Sequence, residues 1–264
     1  MKIGFIGNGN MGTAIIGGVI KNGLAAPSDI IVSDINEAGL KASGEKYGIN
    51  ITTNNKVAAE ASDILFLAIK PNVIYNVIDV IKDSIDESKL VVSIAAGQSI
   101  AKLEEAFGKP VKLVRVMPNT PALVGEAMSG IAVNANVSDD EKKTVLNIFD
   151  SLGKGELIEE YMMDAVTAVS GSSPAYVFML IEAMADAAVQ GGLPRAKAYT
   201  FAAQAVLGSA KMVLETGKHP GELKDMVCSP AGTTIDAVAV LEEEGFRSSV
   251  IKAMKACTDK SRSM

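Results

Sequence analysis

The chain opens on a short apolar run, Lys2-Ile3-Gly4-Phe5-Ile6, and breaks at once into Gly7-Asn8-Gly9-Asn10-Met11-Gly12. A helical pattern follows, with Met11, Ile15 and Val19 on one face and Gly23 as its stop. This is G-x-G-x-x-G in the setting that gives it meaning, directly after a strand and opening a helix. The first glycine makes the tight turn, the second lets a pyrophosphate approach the backbone, and the third lets helix and strand pack closely. A chain that starts this way must begin with a β-α-β dinucleotide-binding unit. Ile6, Gly7, Asn8, Gly9, Asn10, Met11 and Gly12 are its candidate cofactor contacts.

The second strand, Ile30-Ile31-Val32-Ser33, ends at Asp34. An acidic residue about 20 positions beyond the glycines accepts hydrogen bonds from the adenosine ribose hydroxyls of NAD. It would repel a 2′-phosphate by roughly 1–3 kcal/mol per charge pair at about 5 Å. No Arg stands beside it to receive that phosphate, so the position points to NADH. The plainer alternative is that Asp34 turns away and only caps the helix beginning near Asn36.

Ile64 to Ile69 is a continuous apolar run, as a parallel strand covered on both faces requires. It ends in Lys70-Pro71, where Pro71 can start a helix. Leu90 to Ile94 repeats the pattern into Ala95-Ala96-Gly97, and Val111 to Met117 repeats it into Pro118-Asn119-Thr120-Pro121. Ligands of open α/β sheets sit at the carboxyl ends of strands, so these tips should line one crevice. Small side chains at Ala95 and Ala96 would let a flat nicotinamide lie close, or they simply ease a tight turn. Met128 to Val133 and Leu157-Ile158 read as the last strands, separated by an amphipathic helix from Asp139 to Leu152.

From about Tyr161 strand patterns vanish. Helices are predicted at 162–170, 174–190, 194–216, 233–244 and 246–261, with Pro194 in a first turn. Ala and Met become common and the helices keep little polar surface, which predicts burial against a second subunit. The expected fold class is α/β: a Rossmann dinucleotide-binding domain over 1–160, then an all-α dimerisation and substrate domain over 161–264.

Within that second part, Cys228-Ser229-Pro230-Ala231-Gly232-Thr233-Thr234 leads into an apolar helix. Pro230 stops the preceding segment, and Gly232 is expected to take backbone angles that a side chain would forbid. Amides left unpaired at the positive end of a helix dipole suit an anion such as a substrate carboxylate. An ordinary capped helix start is the bland alternative.

What the chain lacks narrows the chemistry. A net charge of −6 with scattered Lys and Arg argues against a nucleic-acid or anionic-membrane partner. Cys228 and Cys257 have neither CxxC nor disulfide-framework spacing, which predicts free thiols in a reducing cytoplasm. The opening apolar segment is too short for a signal peptide. The apolar stretch from Ala165 to Leu193 carries Ser-Gly-Ser-Ser-Pro, Glu182 and Asp186, and reads as buried helix, not a membrane span. His219, the only histidine, reads as a solvated turn residue. No pattern suggests a metal site, a nucleophile elbow or a carboxylate pair. Hydride transfer to an already electrophilic carbon tolerates such a thin inventory, because it needs orientation and charge placement above all. The late loop would hold a carboxylate, the strand tips a nicotinamide, and a cyclic imine between them could accept hydride.

At the level of whole motifs the chain resembles the pyrroline-5-carboxylate reductases. Pro220-Gly221-Glu222-Leu223, Val227 through Thr234, Ala237-Val238 and Leu241-Glu242 look like that family's C-terminal signature. Gly7 through Gly12, Ala68-Ile69-Lys70-Pro71, Arg115 through Pro121 and Ser170 through Tyr176 match as well, so the resemblance spans nearly the whole chain. It implies reduction of 1-pyrroline-5-carboxylate to L-proline with NAD(P)H, the last step of proline synthesis. It also implies a homodimer interlocked through the helical domain, in some members a pentamer of dimers. By the same resemblance the amides around Ala231, Gly232 and Thr233, beside Ser229, bind the substrate carboxylate. Thr234 would be the catalytic contact to the ring nitrogen and Asn55 would touch the cofactor ribose. Ala68, Ile69, Lys70 and Pro71, with Ile94, Ala95 and Ala96, would line the dinucleotide. Two positions depart from the pattern. Asp34 stands where many relatives carry Ser or Thr, and Met226 where relatives often place Asn or Gln.

Two other readings compete. A hydroxyacid dehydrogenase related to 6-phosphogluconate dehydrogenase would need a catalytic Lys with a nearby Asn on the first long helix of the second domain, and Gly171 to Glu182 contains neither. A non-catalytic dinucleotide sensor would have no reason to keep the Ser-Pro-Ala-Gly-Thr-Thr loop.

Overall fold

Four apolar residues in succession can all be buried only in a sheet covered on both faces. β1 (Ile3–Ile6) is such a strand, with every residue buried. The computed structural model describes residues 1–263. After β1 come α1 (Asn10–Lys21), β2 (Ile30–Ser33), α2 (Glu37–Tyr47), β3 (Asn50–Thr52), α3 (Asn55–Glu60), β4 (Ile64–Leu67) and α4 (Ile74–Ile81). β5 (Leu90–Ser93), α5 (Ile100–Phe107), β6 (Lys112–Met117), β7 (Ala127–Val133), α6 (Asp139–Asp150) and β8 (Gly153–Leu157) complete one eight-stranded sheet.

Its order is β3-β2-β1-β4-β5-β6-β7-β8. β1 to β6 run parallel, β7 is antiparallel to β6, and β8 is parallel to β7. The chain winds outward from β1 to β3, then returns to lay β4 on the other side of β1. That reversal opens a crevice at the carboxyl ends of β1 and β4. Alternate strand residues supply the two cores: Ile64 and Phe66 join one, Leu65 and Leu67 the other. Phe5 stacks on Phe66 at 4.8 Å between centroids.

The structure differs from the sequence expectation at element ends. β4 and β5 stop at Leu67 and Ser93, before the apolar runs do. β3 is an additional edge strand whose Asn50 and Thr52 gave no apolar signal. Pro71 begins a single 3-10 turn that precedes α4.

Compactness divides the chain into two units. The first holds residues 1–172 together with the C-terminal residues from Cys257, and the second holds Ser173–Ala256. The first unit therefore runs past the expected division at residue 160. It takes in α7 (Met163–Val166) and the wider π turn Thr167–Gly171 that follows. Asn119 ties this region to the sheet: its Nδ2 donates to the Ser170 carbonyl at 3.0 Å, and its Oδ1 accepts from the Met128 amide at 3.0 Å. Ser261 Oγ donates to Asp164 Oδ1 at 2.6 Å, which joins the chain's last turn to the same unit.

The second unit is helical: α8 (Ser173–Gln190), α9 (Arg195–Thr216), α10 (Pro220–Val227), α11 (Thr233–Glu243) and most of α12 (Phe246–Arg262). α8 and α9 pack on one another, and the buried apolar residues of the unit are Ala185, Ala198 and Ala202. Small residues there allow close approach but bury little area. Phe178, Met179, Phe201, Leu207 and Leu214 stay exposed, so the unit by itself leaves a large apolar surface uncovered. α10 was not expected from the sequence. Pro220 starts it, and Pro194 stands at the N-cap of α9, one place before the first turn. Among the described residues, no helix is long and apolar enough to cross a membrane.

Candidate active site

The crevice at the sheet's switch point has a volume of about 570 Å³. Ile6, Gly7, Gly9, Ser33, Asp34, Asn55, Ala68, Ile69 and Lys70 line it, together with Ile35, Asn72, Val73 and Val77. Eight of the residues expected to hold a dinucleotide thus meet in one place: Ile6, Gly7, Gly9, Asp34, Asn55, Ala68, Ile69 and Lys70. Asn8, Asn10, Met11, Gly12, Pro71, Ile94, Ala95 and Ala96 lie outside the lining.

The three glycines can be tested by what a methyl would strike. A Cβ on Gly7, whose φ is +106°, would sit 2.2 Å from the Ala68 carbonyl oxygen. On Gly12 it would sit 2.7 Å from the Gly7 carbonyl oxygen, so α1 packs too closely for a side chain. On Gly9 it would meet no protein atom within 4 Å. Nothing in the fold fills that space, which is what a site for a diphosphate demands. α1 opens beside it with no side-chain cap and no acidic residue in its first turn, so its amides and dipole are free for an anion. Met11 packs against the core instead.

Asp34 faces the crevice and also holds its wall. Oδ2 accepts the Asn8 amide at 2.6 Å and Oδ1 accepts the Asn36 amide at 2.9 Å. Each oxygen keeps acceptor capacity toward the crevice, and the alternative that Asp34 only caps the next helix is corrected, because that post belongs to Asn36. Asn36 itself caps α2 by accepting from the Gly39 amide at 3.1 Å. Opposite, Ser33 Oγ donates to Asn55 Oδ1 at 2.6 Å, which leaves the Asn55 amide protons for a ligand. Ser33 was missed in the sequence reading, although a hydroxyl ending an apolar strand was the available signal. Lys70 is exposed and forms no ion pair among the described residues. Ala95 gives its methyl to the core, so Ala96 and Ile94, both half-buried, are what that strand tip can offer a flat ring. An open diphosphate cradle, a bare helix start and a carboxylate at the end of β2 fit a dinucleotide.

In the second unit, the Gly232 amide donates to the Ser229 carbonyl at 3.0 Å, closing a turn with Pro230 and Ala231 at its centre. The left-handed residue is Ala231, at φ +56°, the one non-glycine with positive φ among the described residues. This corrects the expectation for Gly232, whose φ of −86° and ψ of 164° suit any residue. Gly232 is needed for space: a Cβ there would lie 2.4 Å from Ser229 Oγ. Ala231 in this region costs about 1–2 kcal/mol, and such strain is typical of functional loops. α11 then starts with no side-chain cap, leaving the first-turn amides of Thr233 and Thr234 without one. Ser229, Ala231 and Thr233 are exposed, and Gly232 and Thr234 are half-buried.

His219 has a structural post: its Nδ1 accepts from the Gly221 amide at 3.1 Å and caps α10. No cluster of His, Cys, Asp or Glu suited to a metal occurs among the described residues.

Two family models match successive parts of the chain. Residues 160–264 match the family model for pyrroline-5-carboxylate reductase dimerisation, and residues 2–97 match the model for NADP oxidoreductase, coenzyme F420-dependent. The pyrroline-5-carboxylate reductase of Escherichia coli is 54% identical over 263 residues, covering 100% of this chain and 98% of its own. The structure of a pyrroline-5-carboxylate reductase from Coxiella burnetii superposes with a TM-score of 0.93 at 36% identity, covering 99% of this chain and 97% of that one. The Plasmodium falciparum enzyme, solved with NADP bound, superposes with a TM-score of 0.90 at 36% identity, covering 100% and 97%.

Proposed function

The chain belongs to the pyrroline-5-carboxylate reductase family, and from that premise we propose how its own residues carry out the reduction of 1-pyrroline-5-carboxylate to L-proline in proline biosynthesis. The enzyme is an NAD(P)H-dependent oxidoreductase. The dinucleotide supplies hydride when bound, and the protein's part is to bind, orient and neutralise.

In the crevice, the amides opening α1 and the space over Gly9 receive the diphosphate. Asp34 and Asn55 take the ribose hydroxyls, and Ala68 through Pro71 with Ile94 through Ala96 flank the rest. In the late loop, Ser229 and the amides of Ala231 and Thr233 hold the substrate carboxylate beside Gly232, whose own amide closes the turn, and Thr234 contacts the ring nitrogen. The observation that carries this assignment is the uncapped start of α11, presented by a turn strained at Ala231. A cationic imine is already electrophilic, so the loop need only place it.

Asp34 makes NADH the preferred donor. An anionic oxygen pair at the end of β2 accepts from a ribose diol and repels a 2′-phosphate. The helical segment 161–264 joins two copies through its exposed apolar side chains, and a pentamer of such dimers is the larger assembly the resemblance implies. Free thiols at Cys228 and Cys257 suit the cytoplasm.

Steady-state oxidation of NADH and of NADPH by purified protein with pyrroline-5-carboxylate tests the core of this. Turnover with the imino acid and a higher kcat/KM for NADH are expected. Cofactor binding without turnover would return the sensor reading, and turnover of hydroxyacids alone would return the dehydrogenase. Sedimentation of the same sample decides between dimer and decamer.

A further inference from the structure

The Asp34 carboxylate is not free to choose its orientation, because it closes a ring of hydrogen bonds. One oxygen accepts the Asn36 amide, and Asn36 caps α2 through the Gly39 amide. Four residues along α2, the nearly buried Ser43 donates its hydroxyl to Asn8 Oδ1 at 2.9 Å. The Asn8 main-chain N–H donates to the other Asp34 oxygen at 2.6 Å. β2, α2 and the glycine-rich loop are thereby clipped to one another at the edge of the crevice. Gly39 packs closely on the capping residue, since a Cβ there would stand 3.0 Å from Asn36 Nδ2.

We propose that Asn8 and Ser43 are positioning residues for coenzyme discrimination: they fix the Asp34 carboxylate at the adenosine ribose and so maintain the preference for NADH. This rests on the assignment of Asp34 as the ribose acceptor. The physical reason is that both donors to the carboxylate are main-chain amides, so the direction of its remaining lone pairs follows the placement of the loop at Asn8, which the Ser43 hydroxyl pins to α2 through the Asn8 side chain. Neither Asn8 nor Ser43 lines the crevice. Their effect on the ligand passes through Asp34, and a fold-wide role for them would weaken both coenzymes alike.

The test compares Ser43→Ala, Asn8→Ala, Asp34→Ser and the double variant Asp34→Ser/Ser43→Ala, with kcat and KM measured for NADH and for NADPH, and Tm alongside. Ser43→Ala should lower the NADH-over-NADPH ratio of kcat/KM about fivefold, the value of one neutral hydrogen bond. The change should fall mainly on the KM for NADH, and Ser43→Thr, which keeps the hydroxyl, should restore it. In the Asp34→Ser background, Ser43→Ala should move the ratio no further. Equal losses for both coenzymes would overturn the proposal. So would an unchanged ratio in Ser43→Ala and Asn8→Ala when Asp34→Ser alone lowers it. An unchanged ratio in Asp34→Ser itself would remove the NADH assignment, and this proposal with it.

Discussion

Gly232 lies so close to Ser229 that a Cβ built on it would stand 2.4 Å from the serine Oγ and 3.1 Å from its carbonyl oxygen. The same turn forces Ala231 to φ +56°. One position thus requires an absent side chain for space, and its neighbour carries a side chain where glycine would be relaxed. Ala231→Gly should stabilise the protein by about 0.5–1 kcal/mol, strain relief less the added unfolded-state entropy. Denaturant titration checks it, and a destabilised variant would mean the methyl makes a contact worth more than the strain. Gly232→Val should push the turn off α11 and raise the KM for pyrroline-5-carboxylate at least tenfold, with a much smaller change for NADH.

Thr234 stands in the first turn of α11, in the loop assigned to the substrate, whereas the residues assigned to the coenzyme belong to the sheet's crevice. Loss of its hydroxyl should therefore separate substrate chemistry from coenzyme binding. Thr234→Ala is expected to lower kcat about 10- to 100-fold, the range of a hydrogen bond to a charged group, while the KM for NADH holds. Thr234→Ser should keep most of the activity. A rise in the NADH KM that matches the fall in kcat would mean Thr234 serves the coenzyme.

Much of the crevice was legible because its requirements are local. The motif from Gly7 to Gly12 declares its turn, its open space and its close packing through residue type alone, and Asp34 follows at the end of the next strand. What stayed hidden depends on which elements become neighbours. Ser43 on α2 meets Asn8, and Ser33 meets Asn55, only after the sheet has assembled. The late loop was located by its composition, but the strain was assigned to the wrong residue. Glycine is the usual left-handed residue, and the actual reason for Gly232 is a collision with Ser229 that no local rule contains. α10 was missed because its eight residues are too few for a sustained apolar period and His219-Pro220-Gly221 reads as a turn, although Pro220 at the first position was a sign of its start.

Ser138 and Glu141 form a reciprocal cap at the start of α6: each side chain accepts from the other's main-chain amide. Burial raises the Glu141 pKa, but the hydrogen bonds from Lys112 and Ser138 outweigh it and hold the carboxyl below its ordinary value. A depressed folded-state pKa contributes stability that is complete above the unfolded value of about 4.3. That contribution is lost as pH falls through the lower folded value. Glu141→Gln should cost about 1 kcal/mol at neutral pH. The gap to wild type should close in acid, as Glu141 of the wild type takes up its proton. Denaturation at a series of pH values reads this directly, and a gap independent of pH would show that the charge of Glu141 contributes nothing.

Arg115, only 7% exposed on β6, pairs with Glu160, whose Oε1 accepts Nη1 at 2.9 Å and also the Ile100 amide at 2.7 Å. One carboxylate oxygen thereby ties β6 to the start of α5 and to the turn before α7. The arginine Nε is buried with no partner, so the guanidinium depends heavily on this acid for compensation. Removing the acid leaves a buried cation, which costs far more than the pair itself contributes. Glu160→Ala should destabilise by about 2–4 kcal/mol, less than for a fully enclosed pair because about a third of the Glu160 side chain reaches solvent. Replacing both partners with Met should recover much of that loss, since an apolar pair needs no compensation. The Ile100 amide would still lack its acceptor, so recovery should be incomplete. Chemical denaturation of the three variants decides the matter: if Arg115→Met/Glu160→Met is no more stable than Glu160→Ala, the penalty lies in the lost cap on α5 and not in the stranded charge.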